Sequence, residues 1–182
     1  MPDAPGLILV TGPPGAGKST VAAALATRLD PSVLVSGDAF FDFLATGAIE
    51  PWLPASNAQN EVVTEASAMA AGRFARDYAT VFDGMVGPWF LPTFARATGV
   101  ARLHYVVLLP SLDRCLDRVA TRLGHEFDDP AATRKMHGEF ARAAIDPRHV
   151  VPDPPEGVDA VADLIGAGIT DGRFLHAVAA ST

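Results

Sequence analysis

Leu7-Ile8-Leu9-Val10-Thr11-Gly12-Pro13-Pro14-Gly15-Ala16-Gly17-Lys18-Ser19-Thr20 is the stretch on which the fold turns. Leu7 to Val10 is a short continuous apolar run, the pattern of a strand buried on both faces. Gly12 to Ser19 then matches G-x-x-x-x-G-K-[ST] at every fixed position. Beyond it Val21, Leu25 and Leu29 recur at i, i+4 and i+8, marking a helix that Pro31 stops. The order has a physical reason. Glycines let successive backbone N–H groups turn inward as an anion-binding nest. A helix starting near Gly17 adds the positive end of its dipole. Lys18 is spaced to reach the β- and γ-phosphates of a nucleoside triphosphate, and the Ser19 hydroxyl to bind Mg²⁺. Gly12, Pro13, Pro14, Gly15, Ala16, Gly17, Lys18, Ser19 and Thr20 are therefore the candidate ATP contacts, with Thr20 supporting the first phosphate. A glycine turn with an accidental lysine is the alternative, and the agreement of motif with context argues against it.

Working outward, Val33 to Val35 reads as a second strand ending in Ser36-Gly37-Asp38, and a helix runs from Asp38 to about Leu44. Pro51 and Pro54 around Trp52 make a loop of Glu50 to Ala55. A long helical pattern covers Ser56 to Asp77, with Ser56 as its cap. Ala79 to Asp83 is a third strand, Pro88 to Ala97 a short helix, and Leu103 to Leu109 a fourth strand. Ser111 caps an amphipathic helix to Leu123, with Leu112, Leu116, Val119 and Leu123 along one stripe. Pro130 to Ala144 is helical, His149 to Val151 a short fifth strand, Pro155 to Ile165 a helix and Gly172 to Ala180 a terminal one. Strands alternating with helices predict an α/β protein with a five-stranded parallel sheet covered on both faces, in one domain over 1–182.

Composition narrows the class. Apolar residues make up 49% and charged residues 19% of 182, enough for a hydrophobic core. The net charge of −7 repels nucleic acid and argues against it as a partner. Cys115 is the single cysteine, so neither an intrachain disulfide nor a thiolate metal cluster forms, and its helical spacing with Leu112, Leu116 and Val119 suits core packing. No secretory pattern precedes Leu7, and no run of about 18 apolar residues suggests a membrane span. A cytoplasmic protein, monomer or homodimer, is expected.

The loop alone does not choose a reaction. The Asn-Lys-x-Asp pattern that reads guanine is missing, since Asn57 and Asn60 are not followed by lysine. Val81-Phe82-Asp83 continues with Gly84, where a hydrolytic ATPase would place a water-activating glutamate. That favours transfer to a bound acceptor. Asp83 itself suits an outer-sphere Mg²⁺ contact, a substrate hydroxyl, or a plain strand-end turn.

The loop together with Asp113-Arg114-x-x-Asp117-Arg118-x-x-x-Arg122 resembles the nucleoside-monophosphate kinase superfamily. The order and brevity of the elements resemble its small-molecule kinases: chloramphenicol phosphotransferase, gluconate kinase and shikimate kinase. The resemblance implies a P-loop three-layer α/β/α sandwich with a short helical lid, about 123–131, and transfer of the ATP γ-phosphate to an alcohol. It also implies that Arg118 packs on adenine or binds phosphate and that Arg122 reaches the transferring phosphoryl group. The spacing supports this separately. Arg114, Arg118 and Arg122 share one helix face, where like charges repel by about 0.2–0.5 kcal/mol per pair until a polyphosphate offsets them. A solvated face balanced by Asp113 and Asp117 is the alternative, strongest for Arg114. His125 and His137, on either side of the lid, lack metal-ligand company and suit surface or lid packing.

Asp38 follows the second strand directly, so it emerges at the sheet edge that carries the phosphate loop. The resemblance to the chloramphenicol phosphotransferase-like and polynucleotide kinase families implies that Asp38 is the base taking the acceptor's proton; a helix cap is the other reading. Phe40, Phe41, Trp52, Trp89 and Phe90 line a pocket or pack in the core, with Trp52, Phe41 and Trp89 as candidate substrate contacts beside Asp38 and Asp83. Arg73 and Arg76 could steady an anionic acceptor or lie on a solvated face, and Gln59, Glu61 and Glu65 could bind acceptor hydroxyls. Arg148 to Pro154 resembles the loop that cradles adenine. Neither a shikimate nor a gluconate pattern is recognisable, so an antibiotic, a sugar and a nucleoside-like alcohol all fit. Two other readings remain: a polynucleotide 5′-hydroxyl kinase, and an ATP-binding switch that recruits a protein partner.

Overall fold

A computed structural model of the chain describes residues 6–121 and 129–178. Five parallel strands form the sheet: β1 (Leu7–Thr11), β2 (Ser32–Ser36), β3 (Ala79–Asp83), β4 (Arg102–Leu109) and β5 (Val150–Pro152), in the order β2-β3-β1-β4-β5. β1 is central. Its register sets Val10 beside Asp83 of β3 and Val106 of β4. Every β1 residue is buried, as a strand covered on both faces requires.

Side-chain alternation divides the core into two layers. Ile8, Val10, Val81 and Leu108 face α1 (Lys18–Ala26) and α6 (Val158–Thr170), with Leu25 and Ile165 packed on them. Leu7, Leu9, Phe82 and Val107 face the opposite way, against α2 (Asn57–Phe74) and α3 (Leu91–Thr98), with Ala71 and Phe94 in contact. Helices α2 and α3 approach closely at Gly72, where a Cβ would lie 1.9 Å from the Thr98 carbonyl oxygen. The three-layer α/β/α architecture is the one expected. The remaining helices, α4 (Leu112–Thr121) and α5 (Pro130–Arg142), flank the C-terminal end of β4, where His137 Nε2 donates to the Pro110 carbonyl at 2.9 Å.

Three local expectations need correction. The sheet carries a sixth strand, β6 (Leu175–Ala177), antiparallel to the start of β4. It occupies the ground assigned to a terminal helix: Phe174 and the antiparallel pairing anchor this segment, and a helix could not supply both. Ser56 is the N-cap residue of α2, but its side chain caps no helix amide; its hydroxyl lies within bonding distance of the Pro51 and Leu53 carbonyls and holds the preceding loop. The helix after β5 begins at Val158, because Pro154 and Pro155 remain extended and Gly157 is the N-cap. The helix expected after β2 is present and is of the 3-10 type, Asp38–Phe43. The proposed lid falls outside the described residues except for 129–131, where Asp129 caps α5 by accepting from Ala131 N and Ala132 N. Arg122 and His125 lie outside them too.

Candidate active site

The phosphate loop leaves the end of β1 and wraps the N-terminus of α1. Gly12, Gly15 and Gly17 all hold positive φ, at 146°, 75° and 94°. Two of them also sit against backbone. A Cβ at Gly12 would lie 2.2 Å from the Leu108 carbonyl oxygen, and one at Gly15 would lie 2.3 Å from that of Cys115. Glycine is thus required for the turn and for the close approach of β4 and α4. Arg118 Nη1 donates to the Gly15 carbonyl at 3.3 Å and to the Ala16 carbonyl at 3.2 Å, bracing the loop from α4. Lys18 Nζ donates to the Pro13 carbonyl at 3.2 Å. Cys115 is buried beneath the loop; burial pushes its thiol up to about 11, against the opposing pull of Lys18, Arg118 and Arg114, so it packs and does not react.

Two cavities meet at this loop. One, of about 400 Å³, is bounded by Gly15 to Val21, by Arg118 and by Pro154, Pro155 and Gly157. Ser19 and Thr20 are exposed in it. Of the segment expected to cradle adenine, Pro154 walls this cavity together with Pro155 and Gly157, while Val150–Pro152 is sheet. Arg114 does not line it; Nη1 donates to the Pro154 carbonyl at 3.2 Å and fixes that wall. A helix N-terminus, a lysine and an arginine on this cavity make a donor set that fits a nucleoside triphosphate.

The other cavity, of about 650 Å³, shares Lys18 with the first. Asp38 stands on its wall, exposed at the start of the 3-10 turn; Gly37, not Asp38, is the N-cap of that turn. Phe41, Trp52 and Trp89 line it, whereas Phe40 packs against the core layer. The Trp89 ring lies over Gly87, where a Cβ would come within 2.3 Å of it, and meets Phe140 edge-on at 5.3 Å. Asp83, 8% exposed, ends β3 abreast of Ser36 and Val10, between β2 and the loop. The residue after it has to be small, since a Cβ at Gly84 would lie 2.6 Å from the Phe82 ring. Ser19 and Asp83 offer the hard oxygen donors that suit Mg²⁺, which takes few protein ligands and completes its shell with phosphate and water.

Several residues were missed by sequence reasoning. Asn57, Asn60, Thr64 and Ser67 form a neutral polar stripe of α2 along the cavity, and Lys135 and Glu139 of α5 face it. The stripe is a legible spacing of three and four residues in an alanine-rich helix. The charged candidates nearby do other things: Gln59 bonds both backbone groups of Ile49, Arg73 pairs with Asp77 at 2.5 Å, and Glu65 lies 3.6 Å from Arg96. None of these lines the cavity, and neither do Glu61 and Arg76.

Sheet order, glycine loop and layer arrangement define a P-loop protein with the kinase-type α/β fold. The chain belongs to an AAA domain family, AAA_33, whose model matches residues 7–147. A comparison with curated proteins returns no match. Among solved structures it is similar to a sugar kinase from Janibacter sp. HTCC2649, with a TM-score of 0.70 and 16% identity over 90% of this chain and 94% of that one. The tunicamycin resistance protein of Deinococcus radiodurans gives a TM-score of 0.66 at 19% identity, over 90% and 94%. A gluconokinase from Sinorhizobium meliloti 1021 gives 0.63 at 21%, over 92% and 93%. At these identities the likeness establishes the fold. No described helix is long and apolar enough to cross a membrane.

Proposed function

We propose that the protein is an ATP-dependent phosphotransferase that moves the γ-phosphate to a hydroxyl of a small molecule. The observation that carries this reading is that Lys18 of the phosphate loop lines both cavities, the larger of which has Asp38 on its wall. A hydrolase has no use for a second cavity of that size beside the phosphate end.

In this reading the loop amides and Lys18 hold the triphosphate, and Arg118 fixes the loop while presenting its guanidinium to phosphate oxygens. Ser19 and Asp83 would hold Mg²⁺, which supplies charge neutralisation between the phosphates. Asp38 accepts the proton of the acceptor hydroxyl as its oxygen bonds to phosphorus and the bridging oxygen leaves with ADP. Gly84 leaves no carboxylate beside Asp83 to activate water. Trp52 and Trp89 hold the acceptor against that base.

The test is a pair of variants. Asp38→Asn should keep nucleotide affinity and lose at least about a hundredfold in transfer, and Lys18→Ala should lose turnover altogether. Asp38→Asn with nearly full activity would remove Asp38 as the base.

A further inference from the structure

The walls of the larger cavity say what kind of acceptor it takes. Its apolar surface includes Phe41, Trp52, Leu53, Trp89 and Met136, so both tryptophans of the chain stand in this one place. Trp89 is 43% exposed and Leu53 46% exposed, and Phe43, on the turn that carries Phe41, is 76% exposed. Large apolar side chains gathered in this way around a concave site mark a surface that an apolar ligand covers. The Trp89 ring, pinned over Gly87 and against Phe140, is a rigid flat wall.

Charge points the same way. Among the described residues, the charged side chains lining the cavity are Lys18, Asp38, Lys135 and Glu139. Lys18 stands at the phosphate loop, Asp38 at the transfer point, and Lys135 Nζ donates to the Trp52 carbonyl at 2.9 Å. No described arginine lines it. A carboxylate or phosphate on an acceptor is best held by a guanidinium fork; Lys135, the described cation away from the phosphate loop, is directed at the Trp52 carbonyl, and Glu139, four residues on along the same helix, opposes an anionic group. What the cavity offers a polar acceptor is neutral: the Asn57, Asn60, Thr64 and Ser67 stripe of α2. Its volume of about 650 Å³ falls within the roughly 300–1,000 Å³ range of sites that enclose drug-sized ligands.

We infer that the acceptor is an uncharged, drug-sized alcohol with an aromatic or otherwise apolar body, and that sugar acids and nucleoside monophosphates are excluded. The inference rests on the phosphotransferase reading only in calling the ligand an acceptor. The apolar body lies along Trp52 and Trp89, and its hydroxyls meet the α2 stripe and Asp38.

Because both tryptophans line the cavity, intrinsic emission of the full-length protein reports on its occupancy without any reaction. Phenyl β-D-glucopyranoside, phenyl β-D-glucuronide and D-glucose separate the two terms: the second adds a carboxylate and the third lacks the aryl group. With a non-hydrolysable ATP analogue bound, phenyl glucoside should shift the emission saturably, at an affinity at least about tenfold above both others. Trp52→Phe should keep that order with a smaller signal. Equal binding of the three, tighter binding of the glucuronide or of D-gluconate, or no saturable response to any of them overturns the inference. The kinase reading fails separately: phenyl glucoside binding with no label transferred to any alcohol leaves the cavity's ligand class standing and removes the transfer. Transfer to D-gluconate does the reverse.

Discussion

Lys135 Nζ, on α5, donates to the carbonyl of Trp52 at 2.9 Å and so ties the helix that follows residues 122–128 to the loop walling the larger cavity. Trp52 sits between Pro51 and Leu53-Pro54, and Ser56 and Asn60 also bond the Pro51 carbonyl. The loop is thus held from α2 and from α5 at once.

Cutting the α5 tie should loosen the acceptor wall and leave the nucleotide side intact. Lys135→Met keeps the aliphatic stem and removes the donor. A hydrogen bond from a charged donor is worth roughly 1.5–3 kcal/mol when buried; Lys135 is exposed, so solvent screening reduces this and the acceptor KM should rise about three- to tenfold. The KM for ATP should stay unchanged. Steady-state kinetics with each substrate varied in turn checks this, and equal rises in both constants would contradict the assigned role.

The phosphate loop should tolerate no side chain at Gly15. Gly15→Ala places a Cβ at 2.3 Å from the Cys115 carbonyl oxygen and demands a left-handed backbone of alanine. Neither strain has a flexible neighbour to absorb it. Calorimetric titration should show ATP affinity lower by at least about tenfold, equivalent to about 1.4 kcal/mol. Retention of wild-type affinity would mean that the nest does not hold the phosphates.

Gly72→Ala sets two effects against each other. Alanine gains about 1 kcal/mol over glycine in a helix interior. The new Cβ, however, would stand 1.9 Å from the Thr98 carbonyl oxygen, a backbone atom of α3 that moves only if the helix moves. Overpacking of this kind costs about 1–3 kcal/mol, and the clash should win. Thermal unfolding should show a net fall in Tm of a few degrees, at about 2–4 °C for each kcal/mol in a chain of this size. An unchanged or raised Tm would show that the two helices are not locked there.

Three histidines on or beside β4 set a pH dependence. Burial lowers the pKa values of His104, His149 and His176 below 6.5; Arg102 adds to this for His104, and Arg148 for the other two. His104 Nδ1 is buried with no hydrogen-bond partner among the described residues. The unfolded chain therefore binds protons more readily than the folded one in this range. The stability contributed by these groups is present above about pH 6.5 and is lost as pH falls through their lowered folded values. Melting curves from pH 8 to pH 5 should show Tm falling below about pH 6.5, and a Tm that holds or rises across that interval would contradict the burial argument.

Much of the fold was legible because it rests on patterns that local chemistry dictates. Leu7 to Val10 could only be a buried strand, and Gly12 to Ser19 only a loop that brings amides together, so the centre of the sheet and the start of α1 followed. Asp38 and Asp83 were legible as strand-end residues of one sheet edge, and Ser36 and Asp83 are register partners there. What was missed depends on docking. The Asn57, Asn60, Thr64 and Ser67 stripe is a helical spacing, but which face of α2 meets a cavity is decided by α3 and the Trp52 loop. Leu175–Ala177 is too short to show a period and becomes a strand because β4 extends below β5 and offers it an edge. Gly84 looked like a missing glutamate; its cause is the Phe82 ring beside it, a contact between residues two apart that spacing alone does not reveal.

The central claim is that a phosphoryl group crosses from the loop side of Lys18 to an alcohol held in the larger cavity. The direct measurement is incubation with γ-labelled ATP, Mg²⁺ and a panel of uncharged aryl alcohols, sugars and 5′-hydroxyl oligonucleotides, followed by chromatographic separation of the label. The expected result is label covalently attached to an uncharged alcohol, at a rate that Asp38→Asn lowers at least about a hundredfold. Label released only as inorganic phosphate across the whole panel would contradict it and would point to a nucleotide-dependent binding switch instead.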